Sequence, residues 1–228
     1  MKRLGFLSLA LATALTVGCN RSQSPDTRAN NPSGSAVGTA GSAEVPRGDK
    51  DFVHDVTIAN LAELDLARLA VDRSTNAEVK KFAQMMIDDH TKAGDSLKTV
   101  ASQHNIEVPT AVDDKHRDLH DKLAKKQGFE FDRDYMNAMV DGHNDFVDKL
   151  ESRIDKTTLS DWKSKTTERV GGTKPEVKGK ATAVLPEKSD NPITAAINQW
   201  AAETYPVAYA HRESAKSLDD TLKKRTTD

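Results

Sequence analysis

Four long segments in which apolar residues recur at helical spacing, with no strand-like alternation competing, narrow the fold more than any other feature of this chain. At 100° per residue, Phe52, Val56, Ala59, Leu66 and Ala70 fall on one side of a helix predicted over about Asp51 to Arg73. Val79, Phe82, Met86, Ala93, Leu97 and Val100 do the same for a second helix reaching about His104. Thr75 and Glu78 read as a capping box at its start. Met136, Met139, Phe146, Leu150 and Ile154 mark a third helix from about Glu130 to Ile154. A fourth begins near Pro192, a favourable first-turn residue, and turns Ile193, Ile197, Trp200, Val207, Leu218 and Leu222 inward. Pro206 removes one backbone hydrogen bond from its interior and should bend it. A shorter, highly charged helix over Asp113 to Lys126, carrying Leu119 and Leu123 and closed by Gly128, lies between the second and third. Each long segment has one stripe to bury. The expected fold is therefore all-α: an up-down-up-down four-helix bundle with a short extra helix between the second and third core helices.

The N-terminus has a different character. Met1-Lys2-Arg3 precedes an apolar run from Leu4 to Leu15 and then Thr16-Val17-Gly18-Cys19. A basic start, a short apolar stretch and small residues before a cut are the marks of a secretory signal, expected here over residues 1–18. The apolar run is shorter than the ~20 residues that span a bilayer. Gly18-Cys19 resembles the lipobox of bacterial lipoproteins, in which the cysteine carries diacylglycerol and becomes the first mature residue. Thr16 stands where that pattern has Leu, and Leu15 lies one place earlier. Asn20 rather than Asp after Cys19 is similar to outer-membrane sorting signals. The expectation is a cell-envelope protein, attached to the membrane through the lipid on Cys19 and facing the periplasm. Residues 19–48, rich in Asn, Ser, Gly, Pro, Thr and Ala, read as a flexible tether that cannot bury enough surface to offset its ordering entropy. Residues 49–228 form the helical domain, with 155–191 as an exposed insertion in which Trp162 alone has the character to dock. Cys19 is the single cysteine, so no disulfide forms within one chain.

Charge excludes some functions. Thirty-three basic residues against 35 acidic ones leave a formal net charge of −2, with no electrostatic case for nucleic acid binding. There is no phosphate-binding glycine loop, no dinucleotide turn and no Ser-His-Asp arrangement, so an enzyme is the least supported class.

The apolar stripes carry four ionisable residues. Glu63 lies eleven residues after Phe52 and seven before Ala70. His90, His143 and His211 each lie four residues after an apolar stripe position (Met86, Met139 and Val207) and seven before a leucine (Leu97, Leu150 and Leu218). All four sit near mid-helix, so an antiparallel bundle would bring them into one layer. Three imidazoles and a carboxylate suit one transition-metal ion, Zn²⁺, Cu²⁺, Fe²⁺ or Mn²⁺. A metal-free network in which Glu63 accepts from imidazole N–H groups meets the same burial cost. A haem or other pocket is the third reading. Asp89 and Tyr135 are placed to support the four, while Met86 and Met139 read as core. His116 and His120 have i, i+4 spacing but lie on a charged helix, and His54 and His104 lie near helix ends, so these four read as solvated.

Leu61-Ala62-Glu63-Leu64, Val79-Lys80-Lys81-Phe82-Ala83, Met86-Ile87-Asp88-Asp89-His90, Phe131-Asp132-Arg133-Asp134-Tyr135 with Met139 and His143, and Pro206 with His211 resemble the secreted domain-of-unknown-function 4142 family. The resemblance covers about residues 50–154 and 193–220. It implies a ferritin-like helical fold in exported bacterial proteins without an established activity. The 155–191 segment is longer than the family's usual connection, and Tyr205 replaces the Leu that commonly precedes the matching Pro. Ferritin-like di-iron sites need Glu-x-x-His on two helices. The residues three before His90, His143 and His211 are Ile87, Val140 and Ala208, so a di-iron oxidase is not expected.

Overall fold

The computed structural model describes residues 44–167 and 183–225. The expected signal sequence, Cys19 and most of the expected tether lie outside the described residues. Among the described residues six helices follow in order: α1 (Arg47–Arg73), α2 (Ala77–Gln103), α3 (Asp114–Ala124), α4 (Gly128–Glu151), α5 (Lys156–Thr167) and α6 (Pro192–Lys224). The four long ones correspond to the four amphipathic segments.

Local chemistry sets their ends. The chain stays extended through Thr75, and Asn76 rather than Thr75 caps α2, its carboxamide oxygen accepting from the backbone N–H of Glu78 at 2.9 Å and Val79 at 3.4 Å. Asn is among the strongest N-cap residues and ranks above Thr there, which explains the one-residue shift from the expected capping box. Asp113 caps α3 through the His116 N–H, and Asn191 caps α6 through Ile193 and Thr194, with Pro192 in the first turn. Between α3 and α4 the chain reverses at Gly128, whose φ of 56° lies in the left-handed region that glycine occupies without steric cost. α6 runs as one helix through Pro206.

The helices form a ring in which α1 packs on α2 and α4, and α6 packs on α4 and α2. One apolar cluster joins Phe52 and Val56 of α1 with Leu97 and Ala101 of α2, Phe146 and Leu150 of α4, and Ile197 and Trp200 of α6. The other joins Leu66 and Ala70, Val79 and Phe82, Phe131 and Tyr135, and Ala215 and Leu222 of the same four helices. The N-terminal halves of α1 and α6 thus share an end with the C-terminal halves of α2 and α4. The direction order is up-down-down-up, a correction to the expected up-down-up-down. The physical reason is the α2–α4 connection, long enough to return the chain along the bundle. Ile106 at its start belongs to the first cluster, and Leu123 of α3 to the second. Every neighbouring pair is still antiparallel, and a single long crossover is the connection that ferritin-like bundles use.

The described parts of the 155–191 segment, 155–167 and 183–191, are less exposed than its polar composition predicts. Leu159 and Trp162 of α5 and Val184 join the first cluster, and an isolated antiparallel bridge pairs Ile154 with Pro186. Trp162 packs edge-on against Tyr205 and Tyr209 of α6, at ring-centre distances of 5.3 and 5.0 Å. A second correction concerns Val207, expected inward but 43% exposed, because the buried stripe of α6 runs through Ala201, Ala208, Ala215 and Leu222 instead. Among the described residues no helix is long and apolar enough to cross a membrane.

Candidate metal centre

Between the two apolar clusters lies one polar layer. Glu63 of α1, His90 of α2, His143 of α4 and His211 of α6 are all buried in it. The three imidazole centres stand 5.5, 5.4 and 5.6 Å apart, a nearly equilateral triangle. Each ring offers one nitrogen, and these nitrogens all lie within 4.8 Å of one another. A shared ion with bonds of about 2.0–2.1 Å in tetrahedral geometry needs them roughly 3.3 Å apart, a closure within the range of side-chain torsions.

One nitrogen of each ring is engaged. His90 Nδ1 faces Asn60 Oδ1 at 3.0 Å, His143 Nδ1 faces the Met139 carbonyl at 2.9 Å, and His211 Nε2 faces Asp89 Oδ2 at 3.1 Å. Each of these partners is an acceptor, so each ring donates there and keeps its lone pair on the remaining nitrogen. His143 Nε2 and His211 Nδ1 are accordingly buried without a hydrogen-bond partner. An acceptor behind a histidine that fixes its tautomer and raises its basicity is the usual arrangement around a ligated metal.

Glu63 stands apart from the trio. Its Oε2 lies 3.2 Å from His90 Nδ1 and its Oε1 3.2 Å from His143 Nδ1, on the side of both rings that Asn60 and the Met139 carbonyl also occupy. Neither oxygen is aligned with a donor, and both are unpartnered. The carboxylate therefore backs two of the imidazoles instead of joining them as a fourth converging group. Burial pushes its carboxyl up to about 8. Burial, reinforced by the charge of neighbouring His211, pushes His143 down to about 3. Burial likewise holds His90 well below the ordinary imidazole range, and it lowers His211 against an opposing pull from Asp89. Three buried imidazoles held toward the neutral form, two of them with an unpartnered ring nitrogen, can ligate without losing a proton.

Two helical glycines make room for the layer. A Cβ on Gly94 would stand 2.7 Å from Asn60 Nδ2, and one on Gly142 would stand 3.2 Å from Glu63 Oε1. Glycine inside a helix costs about 1 kcal/mol relative to alanine. Here that cost admits two polar side chains from α1. Asn60, Gly94 and Gly142 were not singled out from sequence, although Asn60 lies three residues before Glu63 on the same face and each glycine interrupts an otherwise good helical segment. Asp89 supports the layer as expected, through His211 and not through its neighbour His90. The Tyr135 hydroxyl is buried without a partner, and its pKa is raised by burial and by the charge of Glu63. Outside the layer, His116 and His120 are partly exposed beside Asp113, and beside Asp121 and Asp65, respectively, and His54 is exposed.

An all-helical bundle whose core holds three convergent histidines is the class that this fold and layer define. Within that class, the chain belongs to the family described as a domain of unknown function (DUF4142), which matches residues 34–170, more than half of its length. The matched span includes Glu63, His90 and His143 and stops before α6 and His211. No curated protein and no solved structure matches the chain.

Proposed function

We propose that the domain binds one transition-metal ion through His90, His143 and His211, and serves metal handling or stress resistance in the cell envelope. The observation that carries this reading is the convergence of three buried imidazoles, each of which has one ring nitrogen engaged by an acceptor. Buried polar atoms without partners are rare in native proteins, and those of His143 and His211 point into one layer. A purely imidazole donor set favours Zn²⁺ or Cu²⁺ over Mn²⁺, which prefers oxygen ligands. Glu63 and Asp89 act behind the rings, where two carboxylates offset the charge of a divalent ion. The signal sequence and the Gly18-Cys19 pattern support an envelope lipoprotein anchored through Cys19, on the outer membrane and facing the periplasm.

The test is metal content, by mass spectrometry, of the untagged full-length protein isolated from envelopes, beside a His90→Ala/His143→Ala/His211→Ala variant. About one Zn²⁺ or Cu²⁺ per chain, lost from a variant that remains helical, is the expected result. Equal metal in both, or none after incubation with either ion, would sink the reading and leave a structural module with a metal-free polar core. Loss of radiolabelled palmitate incorporation in a Cys19→Ser variant tests the anchor separately.

A further inference from the structure

We infer that an ion in this centre keeps one coordination position open to solvent and takes there a single small ligand, such as water, hydroxide or a compact linear anion. This inference rests on the metal-binding reading above.

A narrow cleft between α2 and α6 reaches the layer from the surface. Asp89, His90, Thr204, Val207, Ala208 and His211 are among the residues that line it. Its free volume is about 10 Å³, room for about one water molecule. Two of the three candidate ligands, His90 and His211, line this cleft, while the third, His143, is fully buried beyond it. An ion held by all three would therefore turn its remaining face toward the cleft.

Among the described residues, neither carboxylate beside the rings is turned to fill that face. Glu63, the one buried carboxylate of the layer, lies behind the rings of His90 and His143, next to their Nδ1 atoms. Asp89 spends its Oδ2 on His211 Nε2, also behind the ring. Metal sites that serve only structure close their coordination with four protein ligands, whereas sites with three leave the fourth position to water or another ligand. The opening comes from small side chains, Ala93 on α2 and Ala208 on α6, that leave a gap where larger residues would seal the helix contact. Thr204 supplies a hydroxyl beside the gap, and Val207 stands partly exposed. A cleft this small admits no organic substrate, so the ligand class is set by size: water-derived species and rod-like anions that enter end-on.

Azide added to the Cu²⁺-loaded full-length protein provides the probe, because a copper-bound azide creates a charge-transfer absorption band that free azide lacks. The expected result is a saturable new band in the wild type. Ala208→Val and Val207→Trp, one narrowing the cleft and one covering its mouth, should keep one copper per chain and weaken the azide response at least tenfold. Val207 is already partly exposed, so its replacement keeps the test intact if the buried Ala208 change disturbs folding. A protein that retains neither copper nor zinc defeats the metal reading itself, and one that holds only zinc is read with Co²⁺ in its place, whose absorption also responds to bound azide. A protein that retains copper but gives no azide band overturns the open position, and an undiminished band in both variants overturns the cleft as its route.

Discussion

Helix α1 buries two carboxylates, and the bundle treats them in opposite ways. Asp49, in its first turn, receives the Arg153 guanidinium at 2.5 Å and the Thr194 hydroxyl at 2.5 Å, and Arg153 also reaches the Gly48 carbonyl. Those contacts tie together the ends of α1, α4 and α6. Glu63, fourteen residues on and just as deep, has no cation and no aligned donor. A carboxylate that serves only to hold helices together is given its charge partner. On the metal-binding reading proposed above, one left without a partner beside three imidazoles is arranged for a positive charge that the side chains do not supply.

The sharpest way to break this comparison is at the supported carboxylate. Asp49→Ala leaves a largely buried guanidinium unpaired and should cost about 3 kcal/mol. That corresponds to a fall in Tm of about 6 to 12 °C for a domain of this size, read by thermal denaturation. Metal content should not change. A loss of metal in this variant would mean that the layer depends on the bundle end and that the two carboxylates are not independent.

Glu63→Gln should do the reverse, with metal affinity falling about 10- to 100-fold, as when other groups behind a ligating histidine are lost. Its effect on metal-free stability depends on pH. The Glu63 carboxyl lies near 8 in the fold against an ordinary value of 4.5. The folded state therefore holds a proton that the unfolded chain releases, and the wild type loses stability as pH rises from 4.5 through 8. The variant lacks that loss, so its stability relative to wild type should rise steadily across this window. A flat difference between pH 4.5 and 8 would show that the carboxyl is not held neutral.

The histidines oppose Glu63 in sign. His143 lies near 3 in the fold against an ordinary value of 6.5. Its contribution is complete above 6.5 and is lost as pH falls through 3, because the unfolded chain takes up the proton first. Replacing His90, His143 and His211 by Leu, Phe and Leu should abolish metal binding and flatten the acid limb in urea denaturation of the metal-free protein. Stability near pH 7 should stay level or increase, since an apolar layer replaces groups that are incompletely hydrogen-bonded.

The smallest effects are expected at the glycines. Gly94→Ala and Gly142→Ala should each change stability by no more than about 1 kcal/mol, the helix preference for alanine offsetting the displaced side chain. Gly94→Ala should still weaken metal binding, because Asn60 must move away from His90, whereas Gly142→Ala needs only a few tenths of an ångström from Glu63. Equal affinities in the two variants would remove Asn60 from the account.

The sequence carried the four long helices and the short α3, their extents to within a few residues, and the direction in which Glu63, His90, His143 and His211 face, but not α5, whose polar composition reads as an exposed insertion. Periodicity reports the side of a helix that is buried. It is silent on the helix that covers it, and so the up-down-down-up order could not be read. It is also weakest where the buried stripe is made of alanines: α6 hides Ala201, Ala208 and Ala215 while Val207 faces outward, and hydrophobicity alone ranks those residues the other way round. His211 was placed correctly because it shares the Ile197 side of the helix whichever neighbour is counted. The separation of Glu63 from the trio was beyond reach for a different reason. Mid-helix position gives depth along the bundle, but which face of an imidazole a carboxylate meets is fixed by side-chain torsions, and those answer to Asn60 and the two glycines.

The diagonal placement of α2 and α4 has a consequence for how the chain is made. His90 and His143 come from helices joined in sequence that are not packing neighbours, and His211 comes from α6, which packs on both of their helices. Synthesis delivers helices from the N-terminus onward. A growing chain can pair α1 with α2 early, yet it holds at most two of the three imidazoles until α6 has emerged and docked. The triangle of rings is thus a record of completion: it exists only in a chain whose assembly has run through its final described helix, and a product truncated before α6 lacks it.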